Sequence, residues 1–182
     1  MSIIEDKSGN NEQIIKDLAF MDEALALAAR AAEQGDVPVG AVVVRDGEII
    51  ARGYNRRETD KMATAHAEIL AIEEACRTLG GWRLPRCTLY VTMEPCPMCT
   101  GAIINSRIER VVYGCPDLVA GCCGTLVDLQ SYHFNHSFEV LGGVREEESK
   151  QLLRSFFESR RRQQKEEKEQ RQNQAATNDK FI

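Results

Sequence analysis

Two short segments constrain this chain more than any others: Thr64-Ala65-His66-Ala67-Glu68 and Glu94-Pro95-Cys96-Pro97-Met98-Cys99. Their side chains make chemical sense together only if the fold brings them to one point. Two cysteines separated by two residues at a helix start turn both sulfurs toward one ion. The positive potential at a helix N-terminus also favours their thiolate forms. One imidazole and two thiolates fill three corners of a tetrahedron and leave the fourth for water, which is the arrangement of a catalytic zinc. Glu68 follows the histidine by two residues. In the first turn of a helix that spacing lets its carboxylate reach the same pocket without being forced onto the metal, and general acid–base work is its natural task. The expected site is therefore one Zn2+ per subunit on His66, Cys96 and Cys99, with Glu68 as the catalytic proton carrier.

Each half of the pattern has blander readings. A single C-x-x-C also serves as a redox pair or as half of a structural zinc site, and His-x-Glu alone says less still. A structural four-ligand zinc would need another donor from Cys87, Cys115, Cys122, Cys123, His133 and His136. None of these forms a second pair at zinc-knuckle spacing except adjacent Cys122-Cys123, whose side chains diverge. The remaining alternative is reduced core cysteines beside a surface histidine. Seven cysteines, an odd number in a chain of 182 residues, do not read as a disulfide framework. No apolar run approaches the ~20 residues of a membrane helix, and the polar, acidic start lacks the design of a signal peptide. The expected location is the cytoplasm, with no membrane partner.

The net charge of -5 argues against a generic phosphate-neutralising binder. The charge is uneven, however. Residues 160–182 carry seven basic and four acidic side chains, which leaves the rest of the chain at -8.

The remaining pattern alternates strands with helices. Ile14, Leu18, Met21, Leu25, Ala28 and Ala32 predict an amphipathic helix over 11–34, which Gly35 ends. Residues 39–44 and 49–53 predict strands joined by a hairpin turn at Asp46-Gly47. A loop is expected over 55–64, a helix over 65–78, a buried strand over 87–93 and a helix over 98–106. A strand over 110–113 is stopped by Gly114 and Pro116, a loop follows over 117–124, and a last strand is expected over 138–141. The final helix, 146–162, has Leu152, Leu153, Phe156 and Phe157 on its inner side. Residues 1–10 and 163–182 read as disordered polar tails flanking one domain over 11–162. The predicted class is α/β, with a mixed sheet between helical layers.

A His-x-Glu followed by Pro-Cys-x-x-Cys resembles the zinc deaminases of cytosine and adenine. More of the chain is similar to one group, the bacterial tRNA-specific adenosine deaminases of the cytidine deaminase-like superfamily. The likeness runs over residues 17–162. It includes Val37-Pro38-Val39-Gly40-Ala41, Tyr54-Asn55-Arg56, Trp82-Arg83-Leu84, Gly101-Ala102-Ile103-Ile104-Asn105-Ser106-Arg107-Ile108, Val112-Tyr113-Gly114, Asn135-His136 and Phe156-Phe157. The resemblance implies a three-layer α/β/α fold with a five-stranded mixed sheet, a homodimer, and hydrolytic conversion of adenosine to inosine at the wobble position of a tRNA, with tRNA-Arg the expected carrier. It further implies that Asn55, Val39 and Ala67 hold the flipped base, and that Phe156, Phe157 and Arg160 meet the anticodon loop. Deamination of a free guanine- or cytosine-type base is the alternative. Two departures bear on this. Relatives usually carry a lysine soon after the aspartate that here is Asp117, and an arginine where Ser137 stands. Arg160, Arg161 and Arg162 are the candidate replacements for those charges.

Overall fold

The computed structural model describes the backbone of residues 5–178, and side chains over 11–171. The expectations for residues 1–4 and 179–182 fall outside the described residues. The chain folds into α1 (Glu5–Glu33), β1 (Gly40–Arg45), β2 (Glu48–Tyr54), α2 (Arg57–Asp60), α3 (Ala67–Leu79), β3 (Cys87–Met93), α4 (Pro97–Ser106), β4 (Arg110–Cys115), a 3-10 turn (Leu129–Ser131), β5 (Glu139–Leu141) and α5 (Glu146–Asn178).

The five strands form one sheet in the order β2-β1-β3-β4-β5. β1 is antiparallel to both β2 and β3, while β3, β4 and β5 run parallel. The hairpin is antiparallel because Asp46 and Gly47 both take positive φ, 53° and 84°, as a tight two-residue turn requires. The parallel part follows from α4, which carries the chain back between β3 and β4.

Strand alternation divides the core in two. Ala41, Val43, Leu89, Val91 and Val111 face Ala67, Ala71, Ile72 and Ala75 of α3 and Ile103 and Ile104 of α4. Val42, Val44, Tyr90 and Val112 face Met21 and Ala24 of α1, and α5 lies on β4 beside α1. These are the three α/β/α layers that the resemblance implied. Between them, Asp17 accepts hydrogen bonds from Arg110 at 2.7 Å through both carboxylate oxygens and from the Tyr90 hydroxyl at 2.7 Å. This buried cluster ties α1 to β3 and β4.

Several local expectations change. The stretch expected as a plain loop after Asn55 contains α2. Its first turn is held from outside by buried Asp36, which accepts from the Glu58 and Thr59 N–H groups and the Thr59 hydroxyl. β4 runs through Gly114 to Cys115 and does not stop at Tyr113. A Cβ on Gly114 would sit 2.2 Å from Ser149 Oγ and 2.5 Å from the Thr92 carbonyl, so this glycine admits α5 against the sheet instead of breaking the strand. α1 already begins at Glu5 and α5 continues past Arg162 to Asn178, where disordered tails were expected over 1–10 and 163–182. Gln, Glu, Lys and Arg are good helix formers, and Lys165 and Glu169 pair at the i, i+4 spacing. Phe157 lies 44% exposed and so is not on the inner side of that helix.

Candidate active site

α3 and α4 begin side by side, and the residue that precedes each helix is a proposed metal ligand. His66 and Cys96 both keep extended backbone, with ψ of 151° and 174°, so neither is yet helical. Pro97 takes the first helical position of α4, where its missing N–H leaves nothing unsatisfied. Cys99 follows in the same turn, fully buried. Ala67 and Glu68 occupy the first turn of α3.

This local geometry brings three donor atoms together. Cys96 Sγ lies 3.8 Å and Cys99 Sγ 3.5 Å from His66 Nδ1, and all three atoms lie within 4.8 Å of one another. Zinc bonds of about 2.3 Å to sulfur and 2.0–2.1 Å to nitrogen, at tetrahedral angles, require a sulfur–nitrogen separation of about 3.6 Å. The donor set therefore fits zinc. Among the described residues no other group of His, Cys, Asp or Glu side chains gathers in this way. Cys87, Cys115, Cys122, Cys123, His133 and His136 thus provide no fourth ligand. Burial pushes the thiols of Cys122 and Cys123 up, as inert core cysteines require.

The thiols are unequal. A hydrogen bond from Cys99, aided by His66, holds Cys96 down to about 4 despite its burial. Cys99, which keeps the shared proton, is raised. The hydrogen bond to Cys96 raises His66 as well. Glu68 is 4% exposed, and burial pushes its carboxyl up to about 6. A carboxyl so placed exchanges protons near neutral pH, as a general acid–base must.

His66, Cys96 and Glu68 line a cavity of about 150 Å3 together with Val37, Val39, Asn55, Arg57, Ala67, Met93, Glu94 and Asp117. A cavity of this volume accepts a single-ring molecule, and a side open to solvent admits a larger base. Val39 and Ala67 are in its wall, as expected. Asn55 is buried, its Nδ2 donates to the Val37 carbonyl at 3.1 Å, and its Oδ1 has no partner. An unpaired buried amide oxygen costs roughly 1–3 kcal/mol, a cost that a bound N–H or O–H would remove.

Three charged wall residues had no role in the sequence reading. Glu94 is buried and accepts from the N–H groups of Asp117, Cys123 and Thr125 at 2.9–3.1 Å, so it holds the loop after β4 over the site. Asp117 in turn caps Val119 and Ala120. A carboxylate at the end of a buried strand, before Pro95, was the available signal for Glu94. Arg57 gave none, because only the fold turns α2 toward the cavity.

A second, shallower groove adjoins the first. It is lined by Gly35, Val37, Glu58, Phe156, Phe157, Arg160, Arg161 and Gln164, and Val37 is common to both. The structure thus places Phe156, Phe157 and Arg160 beside the cavity mouth, with the two rings edge to face at 5.4 Å. Arg162 is absent from the groove lining.

Residues 14–115 match the cytidine and deoxycytidylate deaminase zinc-binding region. The chain belongs to this family of zinc-dependent deaminases, within the group of tRNA-specific adenosine deaminases. It is 55% identical over 139 residues to the tRNA-specific adenosine deaminase of Bacillus subtilis, covering 76% of this chain and 86% of that one. A solved tRNA:A34 deaminase, of a kind that edits A to I at the wobble position, superposes with a TM-score of 0.72 at 45% identity, over 74% of this chain and 99% of its own. The guanine deaminase of Bacillus subtilis matches at 45% identity with a TM-score of 0.53, over 54% of this chain and 63% of its own.

Proposed function

We propose that this protein converts adenosine to inosine, with release of ammonia, at the wobble position of a transfer RNA, and that tRNA-Arg carries the target. The carrying observation is the convergence of the His66, Cys96 and Cys99 donors, the buried Glu68 carboxyl and the unpaired Asn55 Oδ1 on one base-sized cavity. The near-complete coverage of a tRNA:A34 deaminase supports the choice of substrate. His66, Cys96 and Cys99 hold zinc, which supplies the Lewis acidity that lets water act as a nucleophile near neutral pH. Glu68 takes a proton from the attacking water and places it on the ring nitrogen beside the reacting carbon, then takes the proton of the newly added hydroxyl and passes it to the amine, which departs as ammonia. Asn55 accepts a hydrogen bond from the nucleoside, while Val39 and Ala67 press on the base. Phe156, Phe157 and Arg160 meet the neighbouring nucleotides of the anticodon loop. A splayed loop suits such a cavity because no duplex has to be opened.

The deaminase domain spans residues 11–162 and works in the cytoplasm. No described helix is long and apolar enough to cross a membrane. A homodimer accounts for the exposed apolar side chains Leu118, Val119, Leu126, Val127, Tyr132 and Phe134 on one stretch of chain.

Incubation of zinc-loaded protein with tRNA-Arg, followed by sequencing for inosine at the wobble base, tests the reading. No inosine would refute it, and ammonia release from guanine or cytosine would point to the free-base alternative instead.

A further inference from the structure

The charges of α5 are sorted by face. The groove beside the cavity defines one side of this helix through Phe156, Phe157, Arg160, Arg161 and Gln164. Carried forward with the 3.6-residue period, the same side presents Lys168 and Arg171. The charged residues on that side from Arg160 to Arg171 are Arg160, Arg161, Lys168 and Arg171, with Glu167 the single acid, at the edge next to Phe156. Glu158, Glu166 and Glu169 fall outside it, as do Arg162 and Lys165, and Lys165 faces Glu169 at 3.9 Å. Side chains from Ser159 to Arg171 are exposed. A helix solvated on all sides has no reason to segregate its charges.

The ridge extends beyond the domain. Arg171 stands about 16 Å along the axis from Arg160, at 1.5 Å per residue. The motifs that carry the resemblance to the tRNA deaminases run to Arg162, and 74% of this chain matches 99% of a solved tRNA:A34 deaminase. Lys168 and Arg171 lie beyond those motifs. The remainder of the protein is net acidic and repels phosphate, so a basic ridge that starts at the cavity mouth gives the RNA backbone one favourable line of approach.

We infer that the helical extension of α5 is a phosphate-tracking arm, in which Lys168 and Arg171 contact the backbone of the RNA whose base enters the cavity, beyond the reach of the anticodon-loop contacts. The inference rests on the RNA reading of the site. It locates the lost positive charge near Asp117 and Ser137 on a different element. Gln is close to Lys and Arg in helix propensity, so neutral variants keep the helix.

The test is the salt dependence of tRNA binding to the full-length, zinc-loaded protein. For Lys168→Gln with Arg171→Gln, the slope of log K against log salt should fall by about 2, close to 1 per lost phosphate contact. Arg162→Gln with Lys165→Gln removes the same charge from the other side and should leave the slope unchanged. The ratio of kcat/KM on whole tRNA to that on a short anticodon-loop oligonucleotide should fall only for the first pair. Equal slopes for the two double variants, or no change in the first, would overturn the arm. Inosine formation by the unsubstituted protein reports separately on the substrate, so the two failures are distinguishable.

Discussion

Replacing Gly53 with alanine should damage the active site from the far side of a helix. Gly53 lies in β2 where α3 crosses. A Cβ there would sit 2.2 Å from the Ala67 carbonyl oxygen, 2.7 Å from the Ala71 nitrogen and 3.2 Å from the Ala71 Cβ. Two of these are backbone atoms of a helix, so no rotamer change relieves the contact. Restoring ordinary separation requires α3 to move by about 1 Å, and Ala67 is its first residue, between His66 and Glu68. Overpacking of this kind costs about 1–3 kcal/mol. Reduced freedom of the unfolded chain offsets about 0.4–1 kcal/mol. The clash wins, and a net loss of about 1–2 kcal/mol lowers Tm by roughly 2–8 °C for a chain of this size. The effect on activity should be larger, because misplacing catalytic groups by about 1 Å costs on the order of 100-fold in rate. Thermal melts, zinc content by atomic emission and steady-state kinetics on tRNA measure all three effects. A variant with the parent's Tm and kcat would refute the claim that α3 is held against β2 by this close approach.

Glu68→Gln should keep zinc and lose about 100- to 10,000-fold in kcat, whereas His66→Ala should lose the metal; activity surviving the first change would remove Glu68 from proton transfer. Asn55→Ala should raise KM for tRNA about tenfold or more while leaving zinc content unchanged, and an unchanged KM would show that Asn55 Oδ1 does not meet the substrate. Asp17 gives a pH test of stability. Burial pushes its carboxyl up, but hydrogen bonds from Arg110, Tyr90 and Gln13 outweigh this and leave it lowered. A lowered folded value means the stabilisation is complete above the unfolded value of about 3.9 and is lost as pH falls through the folded one. Asp17→Asn should therefore cost about 3 kcal/mol at pH 7, and progressively less as pH falls below about 3.9, when chemical denaturation is compared; a cost that does not fall with pH would contradict the assignment.

The metal site was legible in the sequence because its requirements are local. A histidine before one helix, a glutamate in that helix's first turn, and two cysteines in the first turn of another are set by helix geometry, which acts over a few residues. The strands β1 to β4, and the hairpin turn at Asp46-Gly47, were readable for the same reason. The structure decided matters that depend on distant neighbours. Gly114 reads as a strand breaker until Ser149 is seen packed on it. Asp36 and Glu94 had no assigned role in the sequence, and each accepts backbone N–H groups from remote segments. Cys87 and Cys115 are potential ligands by type, and only their places in the sheet exclude them. The continuation of α5 to Asn178 was missed because a polar composition suits a solvated helix and a disordered tail equally. The sequence by itself determined which side chains could bind zinc and move protons. The tertiary structure decided that α3 and α4 start side by side, since their convergence depends on how a sheet built from residues far apart in the chain seats both helices on one face.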